Sequence, residues 1–308
     1  MTPSNVLVSG ASGMIGTALL QFLSNQSIQA VRLTRNPSRP ELREVHWDPY
    51  SALAGEKSPS IPESFGPLDA AIHLSGANVA GQPWTLEYRK KLRESRVQTT
   101  LSLGEMLISL PKPPRVLLCA SAIGIYGNRG DEILTEDSAP GTGFLADVCQ
   151  EWEGATRDVE AAGIRVVHMR FGVVLGRGGG MLNKLLPLFR MGFGGRIGNG
   201  RQWTSWVAPP DLLRAMQFCM ETENMRGAVN VVAPQPVRNA EFVSAMGKVL
   251  GRPTVVPVPA MALKLVFGAM ANETMLASMR VLPERLVEAG FRFELGDIET
   301  ALRSQLAV

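Results

Sequence analysis

The sequence predicts an α/β protein whose helices cover both faces of a doubly wound parallel sheet. Short β-rich segments alternate with helical ones through the first half of the chain, and the first strand runs directly into a glycine-rich turn. Strands are expected at residues 5–9, 29–33, 69–74, 115–120 and 165–170, with a further strand ending at His46. Helices that cover the sheet are expected at residues 17–23, 86–110 and 145–162.

The first strand and its turn carry the clearest motif. The apolar strand Val6-Leu7-Val8 is followed by Gly-Ala-Ser-Gly-Met-Ile-Gly at residues 10–16. The first glycine permits a tight turn, the second lets the backbone approach a pyrophosphate, and the third lets helix and strand pack closely. The helix N-terminus offers unpaired N–H groups to phosphates. This motif predicts a Rossmann-type dinucleotide site with contacts from Gly10, Ser12, Gly13, Met14, Ile15 and Gly16.

The end of the second strand indicates which nicotinamide cofactor is preferred. An acidic residue there usually binds the ribose 2′-hydroxyl of NAD. Residues 29–36 contain no Asp or Glu, and Thr34-Arg35 falls where the adenosine ribose should lie. Because arginine can form paired hydrogen bonds to a 2′-phosphate, we expect NADP (NADPH) rather than NAD. The alternative is that Arg35 is a solvated loop residue and that either cofactor binds.

The second half of the chain has a different texture, with glycine-rich segments and mixed helices and strands. We therefore expect a nucleotide-binding domain at residues 1–175 and a smaller α+β substrate lobe at residues 176–308, interleaved with the last strands of the sheet. Short strands are expected in this lobe at residues 228–232 and 254–257. A loop rich in Pro, Ser and Gly at residues 49–67 lies where such folds vary in length.

Composition excludes several classes of protein. The formal net charge of +3 is small and the Lys and Arg residues are dispersed, so no nucleic-acid partner is expected. The most apolar stretch, residues 254–270, contains Pro257, Pro259 and Lys264 and is shorter than the roughly 20 apolar residues of a spanning helix, so no membrane partner is expected. Separated histidines give no metal site. Neither composition nor motifs indicate the oligomeric state.

The chain is expected to work in the cytoplasm. Three scattered cysteines have no paired spacing, which is typical of a reducing compartment, and an organelle matrix would serve as well. The first strand begins almost at once, so no secretory signal is expected.

Longer motifs relate the chain to a known family. The glycine turn, Asp-Ala-Ala-Ile-His-Leu-Ser-Gly-Ala at residues 69–77 and Ala-Ser-Ala-Ile-Gly-Ile-Tyr-Gly at residues 120–127 resemble the extended short-chain dehydrogenase/reductases, which include NAD(P)-dependent epimerases and dehydratases. Nearly the whole chain resembles an atypical subgroup of epimerase-family proteins with a C-terminal domain of unknown function, sometimes mislabelled cell-division inhibitors. The segments that carry this narrower resemblance are Trp84-Thr85, Ser95-Arg96, Phe144-Leu145-Ala146, Trp152-Glu153, residues 170–176, residues 194–202, Trp206, Leu282-Pro283 and Gly290-Phe291.

The resemblance implies cofactor contacts beyond the glycine turn. These would be made by Thr34, Arg35, Leu74, Ser75, Gly76, Arg96 and Val174. Leu74 and Ser75 follow the fourth strand, at the carboxyl edge where open α/β sheets bind their ligands. Arg96 has an alternative role, because it shares a helix with several Arg and Lys residues, and such charges usually line a solvated face.

The family's acid/base pair is missing. In the extended family a Ser or Thr after the fifth strand orients the substrate, and a Tyr four residues before a Lys exchanges the proton. None of the three tyrosines here has a lysine four residues on, and no lysine occurs between Lys112 and Lys184. The helix that should carry the pair reads Gly-Phe-Leu-Ala-Asp-Val-Cys at residues 143–149.

Two hydroxyl groups remain as catalytic candidates, those of Ser121 and Tyr126. Ser121 lies close to the family's Ser/Thr position, although an ungapped match of Tyr126-Gly127 puts Ala122 there. A tyrosine at position 126 is more often structural. Cys149 is more often a core residue than a nucleophile. Histidines inside apolar strands, His73 and His168, are expected to be satisfied core imidazoles.

The glycine-rich loop at residues 191–200 predicts a substrate site. It precedes Arg201-Gln202-Trp203-Thr204-Ser205-Trp206, which offers hydrogen bonds and aromatic surface to a ligand. Arg201, Gln202, Trp203 and Trp206 are therefore predicted substrate contacts, and the alternative is a flexible surface loop. The next segment, Ala-Pro-Pro-Asp at residues 208–211, departs from the subgroup, which usually holds a His and a second acid there.

Two functions fit these residues. The first is an NADP(H)-binding oxidoreductase or epimerase-like protein that acts on an unidentified small molecule with a non-standard proton donor. The alternative is a non-catalytic binding protein that senses NADP(H) after losing the acid/base pair.

Overall fold

A computed structural model describes residues 2–51 and 59–306 of the chain. The strands are β1 (Asn5–Ser9), β2 (Gln29–Thr34), β3 (Glu44–His46), β4 (Ala70–His73), β5 (Val116–Ala122), β6 (Ile133–Leu134), β7 (Arg165–Phe171), β8 (Val173–Val174), β9 (Trp203–Thr204), β10 (Trp206–Val207), β11 (Gly227–Val231), β12 (Val237–Arg238) and β13 (Arg280–Val281). The helices are α1 (Met14–Asn25), α2 (Leu86–Ile108), α3 (Phe144–Gly154), α4 (Arg157–Ala161), α5 (Gly180–Arg190), α6 (Pro209–Glu221), α7 (Asn239–Leu250), α8 (Ala260–Phe267), α9 (Glu284–Glu288) and α10 (Ile298–Leu306).

The centre of the structure is a seven-stranded parallel sheet. Its strand order is β11-β7-β5-β4-β1-β2-β3, so the chain builds outward in one direction from β1 and in the other from β4. The doubly wound α/β fold predicted from the sequence is therefore confirmed. Open α/β sheets bind their ligands outside the carboxyl ends of the strands at such a switch point, which here lies between β1 and β4.

Helices bury both faces of this sheet. Every residue of β1 and β4 is buried, as expected for parallel strands covered on both sides. Side chains alternate between the faces: Val6 and Val8 pack towards α1 and α6, whereas Leu7 packs towards α2 and α3.

The C-terminal segment adds a second apolar core and one strand of the main sheet. Helices α5, α7 and α10 pack around Trp206, Phe242 and Leu302. Strand β11 pairs with β7 in the main sheet, and β13 pairs with β6 in a separate two-stranded sheet, so two strand pairs join this segment to the earlier part of the chain. The domain boundary at residue 175 stays a prediction.

Two predicted elements are wrong. The helix expected at residues 145–162 is broken into α3 and α4, where the Thr156 hydroxyl lies 2.9 Å from the Glu153 carbonyl oxygen and 2.8 Å from His168 Nε2; such side-chain bonds compete with the helix. The strand expected at residues 254–257 does not form, because prolines there remove backbone donors. Of the variable loop at residues 49–67, residues 52–58 lie outside the described residues.

The buried His73 of β4 contacts both β1 and α2 at the switch point. His73 Nδ1 lies 2.6 Å from the Ser9 hydroxyl of β1, and its Nε2 lies 3.3 Å from the Thr99 hydroxyl of α2. Burial lowers the pKa of His73 to about 3, so the imidazole is neutral at physiological pH. This confirms the expected satisfied core imidazole.

We predict that stability falls as the pH falls through the interval between the ordinary histidine pKa of 6.5 and the folded value of about 3. In that interval His73 is protonated in the unfolded chain and neutral in the folded protein. This one group therefore makes the free energy of unfolding change by up to about 1.4 kcal/mol per pH unit. The free energy of unfolding, measured in urea across this interval, should depend less steeply on pH in His73→Asn than in the wild type. Equal slopes would contradict the account.

Candidate functional site

The glycine turn is shaped by two contacts that exclude any side chain. Gly10 has a φ of +69°, and a Cβ added there would lie 2.6 Å from the backbone carbonyl of Leu74. A Cβ on Gly16 would lie 2.2 Å from the carbonyl oxygen of Gly10. The first glycine therefore lets the ends of β1 and β4 meet, and the third lets α1 pack on the turn.

Gly13 is different, because the protein's own packing does not require a glycine there. Its φ is −75°, and the nearest atom to an added Cβ is the Gly10 carbonyl oxygen at 3.4 Å. Gly13 and Ser12 are exposed at the N-terminus of α1, which has no side-chain cap and no acidic residue in its first turn. Unpaired N–H groups and the positive end of the helix dipole therefore face solvent over Gly13, which suits a phosphate group.

The end of β2 presents an exposed arginine. Thr34 is half-buried and its hydroxyl accepts a hydrogen bond from the backbone of Asn36 at 3.1 Å, which turns the chain away after the strand. Arg35 is exposed, and within the described ranges its guanidinium makes no hydrogen bond or ion pair. It lies at the carboxyl end of the strand beside β1, where the ribose of a dinucleotide is expected.

Arg96 lies beside the loop that follows β4. Its guanidinium donates to the carbonyl oxygens of Leu92 at 3.0 Å and Ala77 at 3.1 Å, and lies 5.1 Å from the centre of the Trp152 ring. Burial lowers the pKa of Arg96. Its side chain therefore does not lie on the solvated face of α2. No ion pair among the described residues involves this guanidinium, which lies 3.5 Å from where a Cβ on Gly76 would be.

The opposite wall of the cleft comes from the chain after β7. Val174 is half-buried in β8, and the following glycines contact the first residue of α1: a Cβ on Gly176 would lie 2.8 Å from Met14 Sδ. Further on, Lys184 Nζ of α5 donates to the carbonyl oxygen of Ala80 at 2.6 Å. The loops after β4 and β8 therefore enclose the glycine turn from two sides.

No acid/base pair occupies the end of β5 and the start of α3. Ala122 ends β5, and Leu145 lies against the following turn, 3.4 Å from where a Cβ on Gly124 would be. One helical turn further, burial raises the pKa of the Cys149 thiol to about 12, so the thiol stays protonated and unreactive. Cys149 is a core residue, as expected.

A carboxylate that sequence reasoning missed lies at this point. Glu273 Oε2 accepts a hydrogen bond of 2.8 Å from the backbone N–H of Leu145, at the N-terminus of α3. The two residues are 128 positions apart, so no local motif could have paired them.

Ser121 and Tyr126 belong to a buried network instead of the cleft. The Ser121 hydroxyl donates to Glu153 at 2.7 Å, and the Tyr126 hydroxyl donates to Asn230 at 2.7 Å and accepts from Arg170 at 2.8 Å. Burial acts to raise the pKa of Glu153, but the Arg170 guanidinium, bonded to both carboxylate oxygens, holds it below its usual value. Both hydroxyls are buried and engaged in bonds, so their placement argues against the predicted catalytic role and fits a structural one.

The four predicted substrate residues lie in three different environments. Arg201 and Gln202 line an open cavity of about 640 Å³. The prediction for Trp206 is wrong, because this side chain is fully buried in the C-terminal core and its Nε1 donates to the Gln235 carbonyl oxygen at 3.1 Å. Trp203 and Trp206 stand in the same short segment, and the sequence does not indicate which of the two is buried.

Trp203 supports the cavity wall. Its Nε1 donates to Asp131 at 2.9 Å, and the guanidinium groups of Arg238 and Arg280 lie 4.2 and 4.5 Å from its ring centre. Asp131 and Arg238 themselves line the cavity and pair at 2.8 Å; sequence reasoning missed both.

Asp211, which lies in the segment that departs from the subgroup, has a structural role. It is buried in the first turn of α6 and accepts hydrogen bonds from the backbone N–H groups of Glu294 at 3.0 Å and Leu295 at 2.8 Å. Arg214 pairs with it at 2.8 Å. The carboxylate therefore fastens the chain before α10 to α6.

The switch point between β1 and β4, closed by a glycine turn with an uncapped helix behind it, defines a dinucleotide-binding protein of the Rossmann type. The chain belongs to the NAD dependent epimerase/dehydratase family, whose sequence model matches residues 6–232. The domain of unknown function DUF1731 matches residues 258–305. The family resemblance found from the motifs is thereby confirmed.

Similar proteins cover nearly the whole chain. Epimerase family protein Mb2239 of Mycobacterium bovis is 40% identical over 303 residues, which are 98% of this chain and 97% of that protein. The chloroplastic SDR39U1 homolog of Arabidopsis thaliana is 35% identical over 97% of this chain and 86% of its own. The crystal structure of human epimerase family protein SDR39U1 (isoform 2) with NADPH has a TM-score of 0.88 at 31% identity, covering 98% of this chain and 99% of that one.

Replacing Gly13 separates ligand binding from folding. In Gly13→Ala the added methyl group meets only ordinary backbone contact, so the free energy of unfolding should change by less than about 1 kcal/mol. The methyl group would occupy the space of a pyrophosphate, and NADPH affinity measured by calorimetry should fall at least about tenfold. Unchanged affinity would contradict a pyrophosphate at Gly13; as a control, Gly16→Ala should lose stability.

Proposed function

We propose that this protein binds NADP(H) and acts as an oxidoreductase or epimerase-like enzyme on an unidentified small molecule, without a Tyr-x-x-x-Lys pair. The observation that carries the proposal is the glycine turn at the switch point, where the uncapped N-terminus of α1 stands over a glycine that packing does not require. An exposed glycine at an uncapped helix N-terminus suits a phosphate group.

The residues around the turn fit a whole dinucleotide. The turn would hold the pyrophosphate, Leu74 and Ser75 would contact the cofactor beside it, and Arg96 and Val174 would line the nicotinamide end. When bound, the nicotinamide supplies a hydride to an oriented substrate. The chain's own part is to hold both ligands and exclude water from the cleft that the loops after β4 and β8 enclose.

The preference for NADP over NAD rests on Arg35. The end of β2 carries no acid that would bind a 2′-hydroxyl, and the exposed guanidinium is available for a 2′-phosphate. The human relative crystallised with NADPH supports the same choice.

The substrate is proposed to occupy the cavity that Arg201 and Gln202 line. Asn272 lines this cavity, and the next residue, Glu273, contacts the start of α3, so one short segment reaches both the cavity and the end of the sheet beside β5. Its cationic side chains, from Arg201, Arg238 and Lys264, outnumber the single carboxylate of Asp131. This balance favours a substrate with an anionic group.

The second candidate function is a non-catalytic protein that senses NADP(H). It is favoured by Ala122, Leu145 and Cys149, which place no group able to exchange a proton at neutral pH where the family's Ser/Thr, Tyr and Lys would be. No side chain at the family's acid/base positions would then supply or accept the proton that accompanies hydride transfer.

A reducing compartment remains the proposed location. All three cysteines are buried and unpaired, which fits the cytoplasm, and the relative named as chloroplastic keeps an organelle matrix open.

Arg35→Ala tests the cofactor preference. Losing paired, charge-assisted hydrogen bonds should weaken NADPH binding about tenfold or more. NADH lacks the 2′-phosphate and serves as the matched control, so its affinity should not change. Calorimetric titration of both cofactors measures the ratio, and an equal effect on the two would contradict the role of Arg35.

Turnover separates the two functions. The purified chain should bind NADPH and then oxidise it in the presence of at least one member of a panel of aldehydes, ketones and nucleotide sugars. Gly13→Ala controls for contaminating reductases, because it should lose binding and turnover together. Binding without turnover across the panel would favour the sensing protein, and absence of binding would contradict both functions.

A further inference from the structure

Helix α8 is an apolar helix that the rest of the protein does not cover. None of its residues is fully buried, and Leu265 and Met261 are 88% and 76% exposed. It lies within residues 254–270, the most apolar stretch of the sequence. A helix with one lysine and otherwise apolar side chains is ordinarily packed against other apolar groups, so we expect a binding partner to cover α8.

A second exposed segment extends this surface. Met191 and Phe193, after α5, are each 60% exposed, and Val255 is 81% exposed. Backbone bonds hold the two segments side by side: Val258 donates to the Arg196 carbonyl oxygen at 2.9 Å. Together they form what we term the apolar face, made of Leu188, Met191, Phe193, Val255, Val256, Met261, Leu265, Val266 and Phe267.

The two stretches of chain that build the apolar face carry positive charges and no acidic residue. No Asp or Glu occurs between Glu160 and Asp211, or between Glu241 and Glu273, the two stretches from which the face is built. The exposed cations on those stretches nearest to the face are Arg190, Arg196, Arg252 and Lys264. The ion pairs of the described residues include none of these four.

Exposed apolar side chains beside exposed cations favour one kind of binding partner over others. A symmetric contact with a second copy would bring the cations of both copies together, and the two stretches supply no acid to pair with them. A folded partner protein would need a groove matched to a projecting helix. A bilayer surface adapts to a projecting helix, and anionic headgroups neutralise a positive rim.

We propose that the apolar face is a peripheral membrane-binding surface for anionic lipid headgroups. The apolar side chains of α8 enter the boundary between headgroups and acyl chains, and Arg190, Arg196 and Arg252 contact lipid phosphates. Among the residues that the structure describes, no helix is long and apolar enough to cross a bilayer. The stretch at residues 254–270 is too short and too interrupted to span a bilayer, whereas binding at the bilayer surface needs only its exposed apolar side chains.

Sedimentation with lipid vesicles tests the proposal. The full chain should bind vesicles of phosphatidylcholine mixed with phosphatidylglycerol in preference to phosphatidylcholine alone, and added salt should weaken binding. Leu265→Glu should weaken binding to the mixed vesicles at least about tenfold. Leu86→Glu is the matched control, because Leu86 on α2 is also 88% exposed and lies outside the apolar face.

Arg252→Gln provides a second variant. It should lower binding to the mixed vesicles about fivefold and leave binding to phosphatidylcholine unchanged. The proposal would be overturned by equal binding to both kinds of vesicle, or by equal effects of Leu265→Glu and Leu86→Glu. A change in the molecular mass of the free protein in Leu265→Glu, with vesicle binding intact, would also overturn it and assign the face to a second copy.

Discussion

The close approach of two backbone segments, at Gly10 after β1 and Leu74 after β4, is the constraint on which the rest of the site depends. A side chain on Gly10 would meet the Leu74 carbonyl. Beneath this contact, the bond between Ser9 and His73 joins the same two strands. Because the ends of β1 and β4 are held together, α1 begins at the sheet edge with its N–H groups directed over the crevice. Apolar packing of two buried strands thus positions an electropositive helix end.

The sequence predicts this part of the structure well because its signals are local. Strand, glycine turn and helix follow one another within 25 residues, and each glycine has a spacing set by backbone geometry. Features that depend on distant contacts could not be predicted in this way. Glu273 meets Leu145 across 128 positions. Trp203 and Trp206 look alike in sequence, yet the second belongs to a core formed by helices further along the chain. An apolar stretch predicts burial, so the exposure of α8 is visible only in the fold.

The hydroxyl groups nearest to the missing acid/base pair are held in a buried network. The residues that could have replaced it, Ser121 and Tyr126, are engaged by Glu153, Arg170 and Asn230 in a network that joins β5, α3, β7 and β11. Removing one partner from such a buried charge pair typically costs about 3–5 kcal/mol, so this network resists change for reasons unrelated to catalysis. The carboxylate of Glu273, from the C-terminal segment, lies instead at the start of α3, where it accepts a hydrogen bond from the backbone of Leu145.

The central claim is that the glycine turn and the end of β2 together hold NADP(H). A crystal structure of the chain with NADPH bound tests it most directly. The account predicts a pyrophosphate against Gly13 and the first turn of α1, with the 2′-phosphate within hydrogen-bond reach of the Arg35 guanidinium. A pyrophosphate away from residues 10–16, or a 2′-phosphate that no arginine contacts, would contradict it.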